Sequence, residues 1–214
     1  HYTAFIPTNE AIEEAVANGL PTWEEIRADY DSSRKIVWDE IEQDSVLSDS
    51  LRSTEDSLRL QAKITYLTNF IRYHFADNSI FADKSARAES EMVTSSYDKE
   101  LGLFCKLYVD RPGNDVLRVR DAYSNTMMET VGEKNVLARD IECSLKPVGR
   151  PMATSGKKIT LDASSACVIH LIPGILNHTE LKNGRHDSEW ASVAAAKKYI
   201  KRYAISKEKF DSHE

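Results

Sequence analysis

Tyr2-Thr3-Ala4-Phe5-Ile6-Pro7-Thr8-Asn9-Glu10-Ala11-Ile12 writes a strand, a stop and a helix start in that order. Tyr2 to Ile6 has the β-forming composition of a short strand. Pro7 ends it, because proline has no N–H to give a ladder. Thr8 or Asn9 then offers a side-chain oxygen to the orphan amides of a helix predicted over Glu10 to Asn18, and Gly19 closes that helix. A strand this early needs partners elsewhere in the chain, and their position decides the fold.

Outward from there, Thr22-Trp23-Glu24-Glu25 is a capping box. It opens a helix with Trp23, Ile26, Tyr30, Val37 and Ile41 along one face. Residues 44–57 are polar and read as a break. Leu60, Ile64, Leu67 and Ile71 then recur at helical steps and predict an amphipathic helix with this stripe inward, His74 continuing the buried face. From about Ser79 the period changes. Met92–Tyr97, Leu103–Val109, Val116–Ala122 and Asn135–Cys143 read as strands between turn signals at Asp98, Gly102, Arg111-Pro112-Gly113-Asn114 and Gly132. Alternate residues Leu103, Cys105, Leu107 and Val109 share one face. Residues 145–158 read as an excursion, with further strands at Ile159–Leu161 and Cys167–Ile172. Asp187 or Ser188 is expected to cap a last helix running to about Tyr203. Helices first and strands after predict an α+β fold.

The 214 residues carry a net charge of −6, with 41% apolar and 29% charged residues. That is too apolar for a disordered chain and too charged for a fibre. The acidic balance argues against a nucleic-acid or anionic-membrane surface. No apolar run approaches the ~18 residues of a membrane span. Cys105, Cys143 and Cys167 contain no CxxC pair, so a zinc site is not expected. One disulfide with a free thiol, or three buried thiols, both fit.

No chemistry-bearing motif stands out. The glycines are scattered and form no phosphate loop, and no Gly-x-Ser-x-Gly is present. His74 and His170 sit beside apolar residues and read as buried neutral imidazoles bonded to backbone. His178 and His186 are too loosely spaced for a ligand set. Asp29, Asp31, Glu40 and Glu42 read as a solvated helix face. Lys197 to Lys209 suits a helix C-terminus. Asn177-His178-Thr179 fits a glycosylation sequon.

Three segments, taken in order, resemble the fasciclin-like domain family. The opening Thr3, Phe5, Pro7, Thr8 and Asn9 match its TVFAPTNEAF signature. Tyr73-His74 matches its Tyr-His segment. Asn135, Asp140, Val168, Ile169 and His170 match its closing "NV…DI…VIH" pattern. Ala166-Cys167 and Pro173 depart from it. The resemblance covers residues 1–176 and leaves 177–214 as a helical tail. It marks insertions near 20–57 and 142–166, and the helices that precede the first signature in the family have no counterpart in this chain.

The resemblance implies a wedge of two β-sheets with short helices packed on one side. It also implies an extracellular or cell-surface setting, as in bacterial lipoproteins anchored at the outer membrane, with a lipid anchor upstream. The expected activity is non-enzymatic adhesion or ligand binding, without a cofactor, metal or catalytic residue. The partner would be a surface glycan or protein met near residues 44–57 and 145–163, not nucleic acid. The alternatives are a spacer domain whose tail helix docks on a neighbouring domain, and a hydrolase using His74 or His170.

Overall fold

The computed structural model describes residues 2–41, 54–137 and 167–204. Strand β1 (Tyr2–Pro7) precedes helices α1 (Asn9–Ala17), α2 (Trp23–Ile41) and α3 (Thr54–Tyr73). Strands β2 (Phe75–Asp77), β3 (Arg87–Asp98), β4 (Leu103–Gly113), β5 (Val116–Asp121), β6 (Met128–Glu129), β7 (Val131–Leu137) and β8 (Cys167–Ile172) follow. A 3-10 turn at His186–Glu189 leads to helix α4 (Val193–Tyr203).

The local punctuation follows the sequence closely. Thr8 caps α1 by accepting the Ala11 N–H at 3.3 Å, while Asn9 is the first helical residue. Thr22 caps α2 through the Glu25 N–H at 3.1 Å. Gly19 has φ +91°, and a Cβ there would lie 3.0 Å from the Asp187 side chain, so only glycine fits this helix end. The last helix starts later than expected. Its cap is Ser192, accepting from the Ala195 N–H at 3.2 Å, while Asp187 and Ser188 lie in the 3-10 turn.

The two-sheet wedge is not found. The strands form one mixed eight-stranded sheet in the order β6-β5-β4-β3-β2-β1-β8-β7. The opening strand lies inside this order, antiparallel to β2 and parallel to β8, with Phe5 opposite His170. Thr130 alone separates β6, at one edge, from β7, at the other, so the sheet curls until its edges nearly meet, like an almost closed barrel. Helices α1–α3 fall between β1 and β2, and α4 follows β8, the last strand in sequence, so helices flank the strands on both sides of the chain.

Helix α3 also presents a different face. Ile64 and Ile71 are 43% and 51% exposed. The buried positions are Ala62, Tyr66, Asn69, Phe70 and Tyr73, again at helical spacing but rotated from the Leu/Ile stripe. Aromatic side chains bury the most area, and Ala62 allows close approach. Helix α3 meets α2 through Lys63, which bonds Glu25 at 2.6 Å and Asp29 at 2.7 Å. On α2 only Ile26 of the expected stripe is buried among described side chains, with Trp23 and Tyr30 exposed; Val37 and Ile41 lie outside those described.

Two core clusters result. One lines the sheet with Phe5, Tyr73, Leu107, Leu117, Val119 and Ile172. The expected β4 face holds for Leu107 and Val109, which are buried, and for half-buried Cys105, whereas Leu103 is exposed at the strand end. The other cluster joins α3 to α4 through Tyr66, Phe70, Trp190, Ala196, Tyr199 and Tyr203. Residues 190–203 therefore share their core with α3. Cys105 and Cys167 are free thiols, and Cys143 lies outside the described residues. Among the described residues no helix is long and apolar enough to cross a membrane.

Candidate functional site

Between β2 and β3 the chain runs without strand pairing, and its polar backbone groups need partners. Side chains from three distant strands supply them. Thr3 of β1 donates its hydroxyl to the Asn78 carbonyl at 2.9 Å and accepts the Ile80 N–H at 2.8 Å. His170 of β8 donates from Nε2 to the Ile80 carbonyl at 2.8 Å. Asn135 of β7 accepts the Ala82 N–H and donates to the Ala82 carbonyl, each at 2.7 Å. Asn78 and Asn135 adopt φ of 70° and 55°, the left-handed region that asparagine tolerates better than most residues. Residues 78–83 thereby become a fixed wall.

This wall faces β3 and β4 across a cleft of about 240 Å3. Ile80, Met92 and Val109 supply its apolar lining, with Ile80 and Val109 buried. Phe81 lines it too and is 40% exposed. Arg111 donates from Nη1 to Asp83 Oδ2 at 2.7 Å and to the Phe81 carbonyl at 3.2 Å. Asp83 Oδ1 accepts the Ser85 hydroxyl and the Ser85 N–H, the latter at 2.9 Å. Those Ser85 bonds, then the Arg111 and Arg87 charges, hold the Asp83 carboxyl below its usual range. Arg111 and Asp83 cancel as an ion pair. Arg87 is exposed on the same cleft, and its guanidinium makes no hydrogen bond among the described residues.

The remaining signature positions are structural. Phe5 is fully buried and stacks on His170 with ring centroids 5.9 Å apart. Pro7 closes β1 and the Thr8 N–H reaches the Ile172 carbonyl at 2.9 Å. Tyr73 donates its hydroxyl to the Lys106 carbonyl at 2.5 Å and accepts the Ala122 N–H at 3.3 Å. His74 donates from Nδ1 to the Phe70 carbonyl at 2.8 Å, and its Nε2 accepts the Leu176 N–H at 3.1 Å. Both ring nitrogens are thus committed, and burial lowers its pKa to about 4. Burial also lowers the pKa of His170. Val168 is buried, Ile169 is half-buried on the opposite face, and Asp140 lies outside the described residues.

His178 and His186, set aside on spacing, are brought together in the helical core. His178 Nε2 meets the Tyr199 hydroxyl at 2.7 Å, and His186 Nδ1 meets the Tyr66 hydroxyl at 2.7 Å. Burial, first, and the neighbouring cationic groups lower His178 to about 3, and burial lowers His186 to about 4. No group of three or more His, Cys, Asp or Glu among the described residues is arranged to hold a metal. The sequon is built into the same core: His178 and Thr179 are buried, and the Asn177 N–H bonds Asp121 Oδ2 at 3.0 Å. At the chain's basic end, Arg202 is bonded to the buried Asp98 through Nε at 2.8 Å and Nη2 at 2.6 Å.

Sequence reasoning missed the cleft residues Asn78, Phe81, Asp83, Arg87 and Arg111. Turn-forming runs at Asp77-Asn78-Ser79 and Asp83-Lys84-Ser85 mark a loop there, but no local signal says that Thr3, Asn135 and His170 hold it. Of the loops at 44–57 and 145–163 expected to carry recognition, residues 54–57 instead open helix α3, and the rest lie outside the described residues. Comparisons of the chain with family models, with curated proteins and with solved structures give no match.

Proposed function

We propose that this chain is a non-enzymatic, extracellular or cell-surface ligand-binding module of fasciclin-like kind. One observation carries the reading. Thr3, Asn135 and His170, from the opening and closing signatures, converge on residues 78–82 and fix one wall of an open cleft. Recognition on irregular segments held by a rigid scaffold is a common arrangement. His74 and His170 spend ring nitrogens on backbone groups, which supports a structural use of both over a hydrolytic one. Helix α4 packs on α3 of its own chain, which favours a tail belonging to this domain over one docked on a neighbour. The test is a binding screen of the intact protein against glycans and matrix proteins. Saturable binding to a member of either set is the expected result, and silence across both would end the proposal.

A further inference from the structure

Resting on that reading, we infer that the Asn78–Asp83 cleft is a site for a carboxylated sugar residue. Four features define the occupant. First, about 240 Å3 is below the ~300–1,000 Å3 of pockets for drug-sized ligands, which leaves room for one ring. Second, the charge balance selects an anion. Arg111 is neutralised by Asp83, and Arg87 stands over the same space without a hydrogen-bonded partner among the described residues. The guanidinium fork matches a carboxylate with two parallel bonds. Third, Phe81 exposes its ring beside an apolar floor of Ile80, Met92 and Val109. The CH face of a pyranose, slightly positive, suits the negative face of an aromatic ring. Fourth, Asn78, Ser79 and Ser90 place small polar groups around the lining, where hydroxyls of a sugar find partners.

A peptide carboxylate would satisfy Arg87 alone, whereas the ring-sized floor, the exposed aromatic and the polar edge together fit an acidic sugar. The wall is built before any ligand arrives, because Thr3, Asn135 and His170 satisfy its backbone, so little ordering is lost on binding.

The experiment is an NMR titration of the full chain with glucuronate, glucose and N-acetylglutamate amide, using wild type, Arg87→Gln and Phe81→Ala. Glucuronate is expected to shift the resonances of Phe81, Arg87 and Ser90, and glucose to bind roughly tenfold more weakly. Arg87→Gln removes that preference with an unchanged melting temperature, since the side chain is exposed. Phe81→Ala weakens both sugars. Equal binding of glucose and glucuronate, or Arg87→Gln without effect, overturns the inference. So does no shift with any probe, or N-acetylglutamate amide binding as tightly at the same resonances. A glycan or matrix protein that binds wild type and both variants equally would sink this site while leaving the binding-module reading standing; the intact protein binding nothing would sink both.

Discussion

The core between α3 and α4 and the wall at Asn78–Asp83 both bury polar groups, and they satisfy them with a different mix of partners. In the core, two histidine–tyrosine pairs join side chain to side chain, beside bonds from Asn69 to the Tyr203 carbonyl and from Tyr203 to the His178 carbonyl. Tyr66 meets His186 and Tyr199 meets His178, inside a stack where Tyr66 lies 5.0 Å from Trp190 and Tyr199 lies 4.9 Å from Tyr203. In the wall, side chains satisfy backbone, and each comes from a different strand. The core is closed and depends on keeping its histidines neutral. The wall is open on one side and depends on three long-range clamps. Stability and recognition are thus assigned to separate places.

Acid should have the largest effect, and it acts mainly through the buried histidines near the helices, although burial lowers the pKa of His170 of the wall as well. His74, His178 and His186 have folded pKa values of about 4, 3 and 4, against an ordinary 6.5. Between pH 6.5 and these values the unfolded chain binds protons that the folded chain refuses. Stability is therefore fully present above pH 6.5 and falls as pH drops toward 4, by about 1.4 kcal/mol per pH unit for each group. Urea unfolding at pH 7.5 and pH 5 measures this. A midpoint that holds or rises on acidification would break the account of the core.

Asn135 tests the wall. Asn135→Ala removes both bonds to Ala82 and places alanine at φ 55°, an expected loss of about 2–4 kcal/mol. Asn135→Gly loses the bonds but tolerates the φ, and should recover about 1 kcal/mol of that. Hydrogen exchange should quicken at Ile80 and Ala82 in both variants before it quickens in α3. Uniform acceleration would mean that the wall and core are one unit.

Tyr66→Phe keeps the ring packing and deletes the hydroxyl facing His186 Nδ1, for an expected cost of about 1–2 kcal/mol. Thermal melting reads it, with exchange of Ile80 and Ala82 unaffected. The smallest effect belongs to Arg87→Gln, within about 0.5 kcal/mol, as befits an exposed side chain without a bonded partner among the described residues. A larger loss would make Arg87 part of the scaffold and close the comparison from the other side.

What was legible in the sequence was local. Pro7, Thr8 and Gly19 wrote the end of β1 and both ends of α1, because a missing N–H, a capping oxygen and a left-handed residue each act within a few bonds. The strands β3, β4, β5 and β8 were readable from composition and turns. The buried face of α3 was not. Leu60, Ile64, Leu67 and Ile71 form a valid stripe, yet so do Ala62, Tyr66 and Tyr73, and only the arrival of α4 and the 176–190 segment decides which turns inward.

The sheet shows the same divide at larger scale. Tyr2–Pro7 and Cys167–Ile172 were each identifiable as strands, but their parallel pairing spans nearly the whole described chain and leaves no local mark. The candidate site belongs to this second kind. Thr3, Asn135 and His170 were singled out one by one as signature positions; that they grip one segment, and that Arg87 and Phe81 then share its cleft, is a consequence of the curled sheet bringing β1, β7 and β8 beside residues 78–83. Sequence determined the elements, because caps, turns and proline act over short distances. Tertiary structure alone decided faces, partners and the cleft, because burial is a competition among all the surfaces the chain brings together.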